Sequence, residues 1–155
     1  MTFTVTAVGA DDINELIDVL IEMAAYYGSA GDPPPVPVLA ARTRSALFGD
    51  VPAAHVTLAR DGTGAVVGMA AYTVLWPAAW ADTAAFLKDL YVREGHRGRG
   101  IGRLLIDHVR QAAAAQGCQR LDWTTDRDND GARAFYKRLG AVETEKVFYR
   151  DVLRS

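Results

Sequence analysis

Cysteine is nearly missing from this chain: Cys118 is the only one in 155 residues. That excludes a disulfide framework and any metal or redox centre built from several thiolates, and it fits a reducing compartment. Serine is also scarce, with Ser29, Ser45 and Ser155 alone, and none stands in the G-x-S-x-G turn of a serine hydrolase. His55, His96 and His108 show neither metal-ligand spacing nor an H-E-x-x-H pair, so no metal is expected. No charge of one sign prevails, since 17 basic and 19 acidic side chains leave a net charge of −2. A generally basic nucleic-acid wrapper is thereby excluded. No apolar run approaches the ~20 residues of a membrane helix, and the first residues carry no basic stretch ahead of an apolar one. A cytoplasmic protein without membrane or nucleic-acid partners is expected.

What is present is half apolar, with no linker or internal repeat, and predicts one domain over residues 1–155. Phe3, Val5 and Ala7 alternate with threonines, the pattern of a strand with one buried face. Asp11 and Asp12 precede Ile13, Leu16, Ile17, Leu20, Ile21 and Ala24 at helical spacing, which predicts a helix to about Tyr27. The proline-rich stretch from Gly28 to Pro37 predicts a stiff loop, and Val38 to Phe48 a weaker helix. Strands are expected at His55 to Arg60 and Ala65 to Leu75, joined by the turn residues Asp61-Gly62-Thr63-Gly64. A tryptophan-rich loop (Trp76, Trp80, Asp82) leads to a further strand, Ala85 to Val92. A helix marked by Ile101, Leu104, Leu105, Val109 and Ala112 ends at Gly117, and a strand follows at Leu121 to Thr125. Ala132, Phe135, Tyr136 and Leu139 form a last helical stripe closed by Gly140. Two short strands near Ala141–Glu145 and Val147–Val152 finish the chain.

The segment from Arg93 to Arg103 sets four arginines against the single Glu94, with glycines at 98, 100 and 102. In an acidic chain this density points to a bound polyanion. A helix N-terminus leaves about four main-chain N–H groups unpaired and adds partial positive charge, so a phosphate there satisfies several donors. Glycines let it approach the backbone. A P-loop is excluded because Arg103-Leu104 follows Gly102 in place of Lys-Ser/Thr. A dinucleotide fold needs G-x-G-x-x-G; the spacing here is G-x-G-x-G, and although Asp122 falls where a ribose-binding acid is wanted, too little chain follows for further βαβ units.

The hexapeptide Arg97-Gly98-Arg99-Gly100-Ile101-Gly102 matches Arg/Gln-x-x-Gly-x-Gly/Ala directly after a strand and opening a helix, and Asn129-Asp130-Gly131-Ala132-Arg133-Ala134-Phe135-Tyr136 follows in order. In these segments the sequence resembles the GNAT superfamily of N-acetyltransferases. The resemblance implies an α/β (α+β) fold: a mixed, mostly antiparallel twisted sheet of about seven strands, splayed like a V and flanked by about four helices. It implies acetyl-CoA as cosubstrate in the opening, with the pyrophosphate on the main chain of Arg97, Gly98, Arg99, Gly100, Ile101, Gly102 and Arg103. The pantetheine arm would pair with Leu90, Tyr91 and Val92, and the side chain of Asn129 would reach the cofactor from the other side. Tyr136 would be the general acid, and the protein a homodimer. On periodicity alone Tyr136 belongs to an apolar stripe, and Asn129 is equally a helix cap.

Acetyl transfer to nitrogen needs a neutral amine, and deprotonating a lysine-like amine of pKa ~10.4 at pH 7 costs roughly 4.6 kcal/mol. A departing thiolate of pKa about 8.5 accepts a proton from a tyrosine of pKa about 10 for only ~2 kcal/mol. A main-chain N–H near Leu90 to Val92, freed by a bulge, would stabilise the carbonyl oxygen. Glu22, Tyr26 and Tyr27 on the first helix, Asp82 and Asp89 are the candidates for binding a cationic amine. The run Phe86-Leu87-Lys88-Asp89-Leu90-Tyr91-Val92 looks most like the polyamine and thialysine acetyltransferase branch. It departs in carrying Lys88 where that branch usually has a glutamate thought to relay the amine proton. The acceptor therefore stays open among polyamines, amino acids, small amines and peptide N-termini. A non-catalytic CoA-binding module is the alternative; a nucleotide-binding oxidoreductase is the more distant one.

Overall fold

The computed structural model describes residues 2–154, in two compact units that meet in sequence between Thr124 and Thr125. In the first, β1 (Thr4–Ala7), β2 (His55–Arg60), β3 (Val66–Leu75), β4 (Ala84–Val92) and β5 (Leu121–Trp123) form one open sheet in the order β1-β2-β3-β4-β5. The first three pairings are antiparallel and β4–β5 is parallel. A parallel neighbour requires a crossover, which α3 (Ile101–Ala115) supplies.

The apolar stripe of α1 (Ile13–Tyr26) covers one face, where Leu16, Val19 and Met23 pack on Val56, Leu58, Val66, Met69 and Tyr91. After the proline-rich loop, α2 (Val36–Phe48) begins before the expected Val38 and takes Pro37 into its first turn. Proline is tolerated there because that N–H has no helical partner in any case.

The other face belongs to α3, whose Ile101, Leu105, Ile106, Val109 and Ala113 are buried. Met69 faces α1, so its neighbour Gly68 faces α3. A Cβ at Gly68 would stand 2.9 Å from the Tyr91 carbonyl oxygen, 3.2 Å from Leu105 Cδ1 and 3.4 Å from Ile101 Cγ2. The close approach of α3 to β3 and β4 is therefore a consequence of glycine at this position.

The second unit holds α4 (Asp130–Arg138), capped by Asn129, whose Oδ1 accepts from the Ala132 N–H at 3.1 Å. Arg133 donates from Nε and Nη2 to the two oxygens of Glu143, at 3.1 and 3.0 Å. The four helices match the expectation, but the sheet has five strands among the described residues, not seven. Residues 141–154 join no ladder, and Val147, Phe148 and Tyr149 are 77%, 67% and 87% exposed. Aromatic and branched residues favour strands only where a neighbour completes the hydrogen bonds, and among the described residues 141–154 carry no ladder pairing.

Candidate active site

The sheet opens beside β4. On its β3 side β4 is paired as far as Val92, opposite Gly68, whereas its pairing with β5 covers only Ala85, Phe86 and Leu87. Between these stretches the register skips a residue: Leu87 faces Tyr72 and Asp89 faces Ala71. Lys88 is thus the extra residue of a bulge. The bulge expected near Leu90 to Val92 thus lies just before them, and those three keep an unbroken register with Ala70, Met69 and Gly68. The bulge still has the expected effect. Ala85 turns its N–H toward the β5 side, bonding the Arg120 carbonyl, and Arg93 turns its N–H to β3, bonding Val67. Main-chain direction alternates along a strand, so one added residue reverses the parity and leaves Leu90 and Val92 facing the edge that β5 vacates.

The chain leaves β4 through a short 3-10 turn, Glu94–His96, into the glycine loop. Gly98 and Gly100 have φ of 74° and 82°, the left-handed region that glycine enters without strain. A Cβ at either would meet nothing within 4 Å. Gly100 caps α3 with no side-chain bond, and the Leu104 N–H bonds its carbonyl at 3.1 Å. The N–H groups of Ile101, Gly102 and Arg103 consequently have no carbonyl within the helix. The first turn carries no acidic residue, and Arg99 and Arg103 are exposed beside it. This donor set fits a diphosphate.

Arg97 is committed to a different contact. Its Nε donates to the Val92 carbonyl at 2.9 Å, and its guanidinium lies 4.4 Å from the Tyr26 ring centroid and 5.6 Å from that of Tyr91. It pins the loop to the end of α1. Glu22, expected to meet an amine, faces Arg93 across 2.9 Å, off the N–H axis and so as a charge contact, and accepts from the Tyr91 hydroxyl at 3.4 Å. Burial, then the Glu22 carboxylate, raises the Tyr91 phenol above its ordinary pKa.

Tyr27 and Asp89 are closer to the expected role. Burial raises the Asp89 carboxyl above the usual range, opposed by the Lys88 ammonium 3.8 Å away. Burial and then the Asp89 charge raise Tyr27. Tyr26 stacks edge-on to Tyr27 at 5.2 Å. Asp82 sits exposed in the β3–β4 loop, with its main chain in a turn with Ala78 and Ala79. Asn129 and Tyr136 lie on the second unit, where Tyr136 is half-buried and tilts against Phe135 at 5.4 Å. Among the described residues no group of three or more His, Cys, Asp or Glu is placed to hold a metal, and no helix is long and apolar enough to cross a membrane.

The sequence profile of the Acetyltransferase (GNAT) family matches residues 18–141. The chain belongs to this family. A D-amino-acid N-acetyltransferase of Saccharomyces cerevisiae is 34% identical over 88 residues, 57% of this chain and 54% of the yeast protein. A thialysine N-epsilon-acetyltransferase of Bos taurus is 28% identical over 139 residues, 85% of this chain and 79% of its own length. Among solved structures, an integron cassette protein from the mobile metagenome of V. cholerae superposes with a TM-score of 0.84 at 32% identity, covering 98% of this chain and 93% of that one. An aminoglycoside acetyltransferase from an uncultured soil sample shares the GNAT fold, with a TM-score of 0.80 at 19% identity over 98% of this chain and 97% of its own.

Two features of this GNAT site were not read from the sequence. One is the stacking of Arg97 on Tyr26, which joins segments that no local spacing connects. The other is Gly68, which reads as an ordinary strand glycine; its only signal is an isolated glycine inside an apolar strand, a mark of close backbone approach.

Proposed function

We propose that this GNAT-family chain transfers the acetyl group of acetyl-CoA to a small cationic primary amine by direct attack in a ternary complex. The observation that carries the reading is the vacated edge of β4 running into a glycine loop with uncapped helix N–H groups. The main chain of residues 97–103 would hold the diphosphate, with Arg99 and Arg103 adding charge, and Leu90 and Val92 would pair with the pantetheine amides. Asn129 would add a further contact to the cofactor. Acetyl-CoA supplies the activated carbonyl; the protein's part is binding, orientation and proton movement.

Tyr27 and Asp89 offer an aromatic face and a carboxylate to a cationic amine, and Asp89, raised toward neutrality, is the group best suited to take the amine's proton. Its position beside the bulge bears on the departure at Lys88: the acid is displaced by one residue and its charge is tempered by the ammonium next to it. The N–H groups of Leu90 and Val92 are the donors available to the carbonyl oxygen. Tyr136 donates the proton to the departing thiolate. The reading includes a cytoplasmic homodimer, whose dimeric state is testable by sedimentation.

The experiment is thiol release from acetyl-CoA across polyamines, amino acids, aminoglycosides and peptides. Acceleration by at least one amine class is expected, with Tyr136→Phe lowering kcat about 10²-fold or more while cofactor binding persists. Cofactor binding without any amine-dependent release would establish a binding module in place of an enzyme.

A further inference from the structure

The extra residue of β4 changes what the site presents to an acceptor. In an unbroken strand, adjacent side chains point to opposite faces of the sheet. At the bulge Leu87 stands opposite Tyr72 and Asp89 opposite Ala71, so Lys88 and Asp89 share the place opposite a single residue. Ala71 packs on the core cluster beneath α1, and Lys88 Nζ lies 3.8 Å from Asp89 Oδ2. A cation and an anion are thereby set side by side.

Their depths differ: the Lys88 side chain is 73% exposed and that of Asp89 28%. An ion pair so exposed adds little to stability, so the pairing does not by itself account for the lysine. After burial, the Asp89 carboxylate raises the Tyr27 phenol and the Arg97 guanidinium opposes it, which places both charges beside the end of α1. Of the other carboxylates expected to meet an amine, Glu22 is held 2.9 Å from Arg93 Nε, and Asp82 lies exposed in the β3–β4 loop. Asp89 is left to face the acceptor, with an ammonium at its side.

We infer that the acceptor is an α-amino acid, acetylated on its α-nitrogen, with Asp89 taking the amine and Lys88 the carboxylate. This rests on the acetyl-transfer reading and names its substrate class. The spacing selects that class. Fixed charges 3.8 Å apart match a ligand whose own two charges are neighbours, amine and carboxylate on one carbon, and the four then alternate in sign around a closed ring. A diamine brings two positive charges to a single carboxylate, and the second meets Lys88 or Arg97. A plain amine leaves the Lys88 ammonium without a ligand partner. In the reaction the α-ammonium gives up two protons, the first to Asp89 and the second to solvent, as the N–C bond forms and the C–S bond breaks. Tyr136 protonates the departing sulfur and is reprotonated from solvent, and an N-acetylamino acid and CoA result.

The test is thiol release by the full chain with leucine, phenylalanine and lysine in both enantiomers. Each is set against the amine that lacks its carboxylate: 3-methylbutylamine, 2-phenylethylamine and 1,5-diaminopentane. At least one amino acid should exceed its amine about tenfold or more in kcat/KM, and mass spectrometry of any product from lysine should place the acetyl group on Nα. Lys88→Met should raise the KM of the preferred amino acid about tenfold or more and leave that of the matching amine within about twofold, while Lys88→Arg keeps most of the affinity. A merely structural role for Lys88 would not divide acid from amine in this way. Release with none of the acceptors overturns the transfer reading and this inference with it. Release in which the amines equal their amino acids, an Nε product from lysine, or an amino-acid KM that Lys88→Met leaves unchanged overturns this inference alone.

Discussion

Arg97 separates two accounts of the glycine loop. If its part is positive charge near a diphosphate, Arg97→Lys preserves it. The structure instead gives Arg97 two contacts that a single lysine ammonium does not make together: the Nε–H bond to the Val92 carbonyl and the guanidinium carbon over the Tyr26 ring. A neutral hydrogen bond contributes about 0.5–1.5 kcal/mol, and an exposed cation–π contact about 0.5–1 kcal/mol. Arg97 is exposed, which places the combined effect toward the lower part of those ranges, about 1–2 kcal/mol. Since the loop must be ordered before its N–H groups converge, that loss appears in CoA affinity as a roughly five- to thirtyfold higher Kd. The expected order is wild type far tighter than Arg97→Lys, and Arg97→Lys close to Arg97→Ala. Tyr26→Leu should reproduce the stacking share alone, about two- to fivefold. Calorimetric titration with CoA at two salt concentrations measures all four proteins. If Arg97→Lys stays within twofold of wild type while Arg97→Ala is weak, the residue acts through charge and the anchoring argument is wrong.

Gly68→Ala sets two effects against each other: alanine removes unfolded-state freedom, a gain of about 0.4–1 kcal/mol, but its Cβ meets a main-chain oxygen at 2.9 Å that cannot rotate away. Overpacking of this kind costs about 1–3 kcal/mol and should win, so thermal denaturation should show a lower Tm for Gly68→Ala; an unchanged or higher Tm would refute the claimed closeness of α3. Asp89 is held above its ordinary pKa by burial, so the folded state binds its proton more readily than the unfolded state. The stability associated with it is present below the unfolded value near ~3.9 and is lost as pH rises through the folded pKa. Urea unfolding across that range should show a downward slope that Asp89→Asn removes. Glu143 is the opposite case, lowered by the hydrogen bond from Arg133 and then by its charge. Its contribution is present above the ordinary glutamate range and is lost as pH falls through the folded value. Arg133→Met should remove that acid-limb dependence, read by fluorescence of the folded state against pH.

Much of the fold was legible because its periodicities are strong and local. The stripe on α1, the alternation in β1 and the glycine stops after α3 and α4 each follow from a few residues and appear where expected. The loop was legible for the same reason: a strand, closely spaced glycines and a helix start are contiguous. What could not be read depends on partners distant in sequence. Lys88 became a bulge because β3 and β4 meet out of step at Ala71 and Tyr72, a matter of pairing that neither strand displays alone. Glu22 was assigned to a substrate because its counter-ion, Arg93, lies on another element. The final two strands were inferred from branched and aromatic content, but a strand exists through its neighbour, and residues 141–154 have none in the described chain.

The account rests on two backbone surfaces, the loop N–H groups and the vacated edge of β4. Nitrogen–proton NMR titration with CoA and, separately, with pantetheine tests them together. CoA should shift the amides of Gly98, Gly100, Gly102, Leu90 and Val92, whereas pantetheine, lacking the diphosphate, should shift Leu90 and Val92 and leave the three glycines in place. Saturating CoA that leaves both sets unmoved, or moves only residues elsewhere in the sheet, would contradict it.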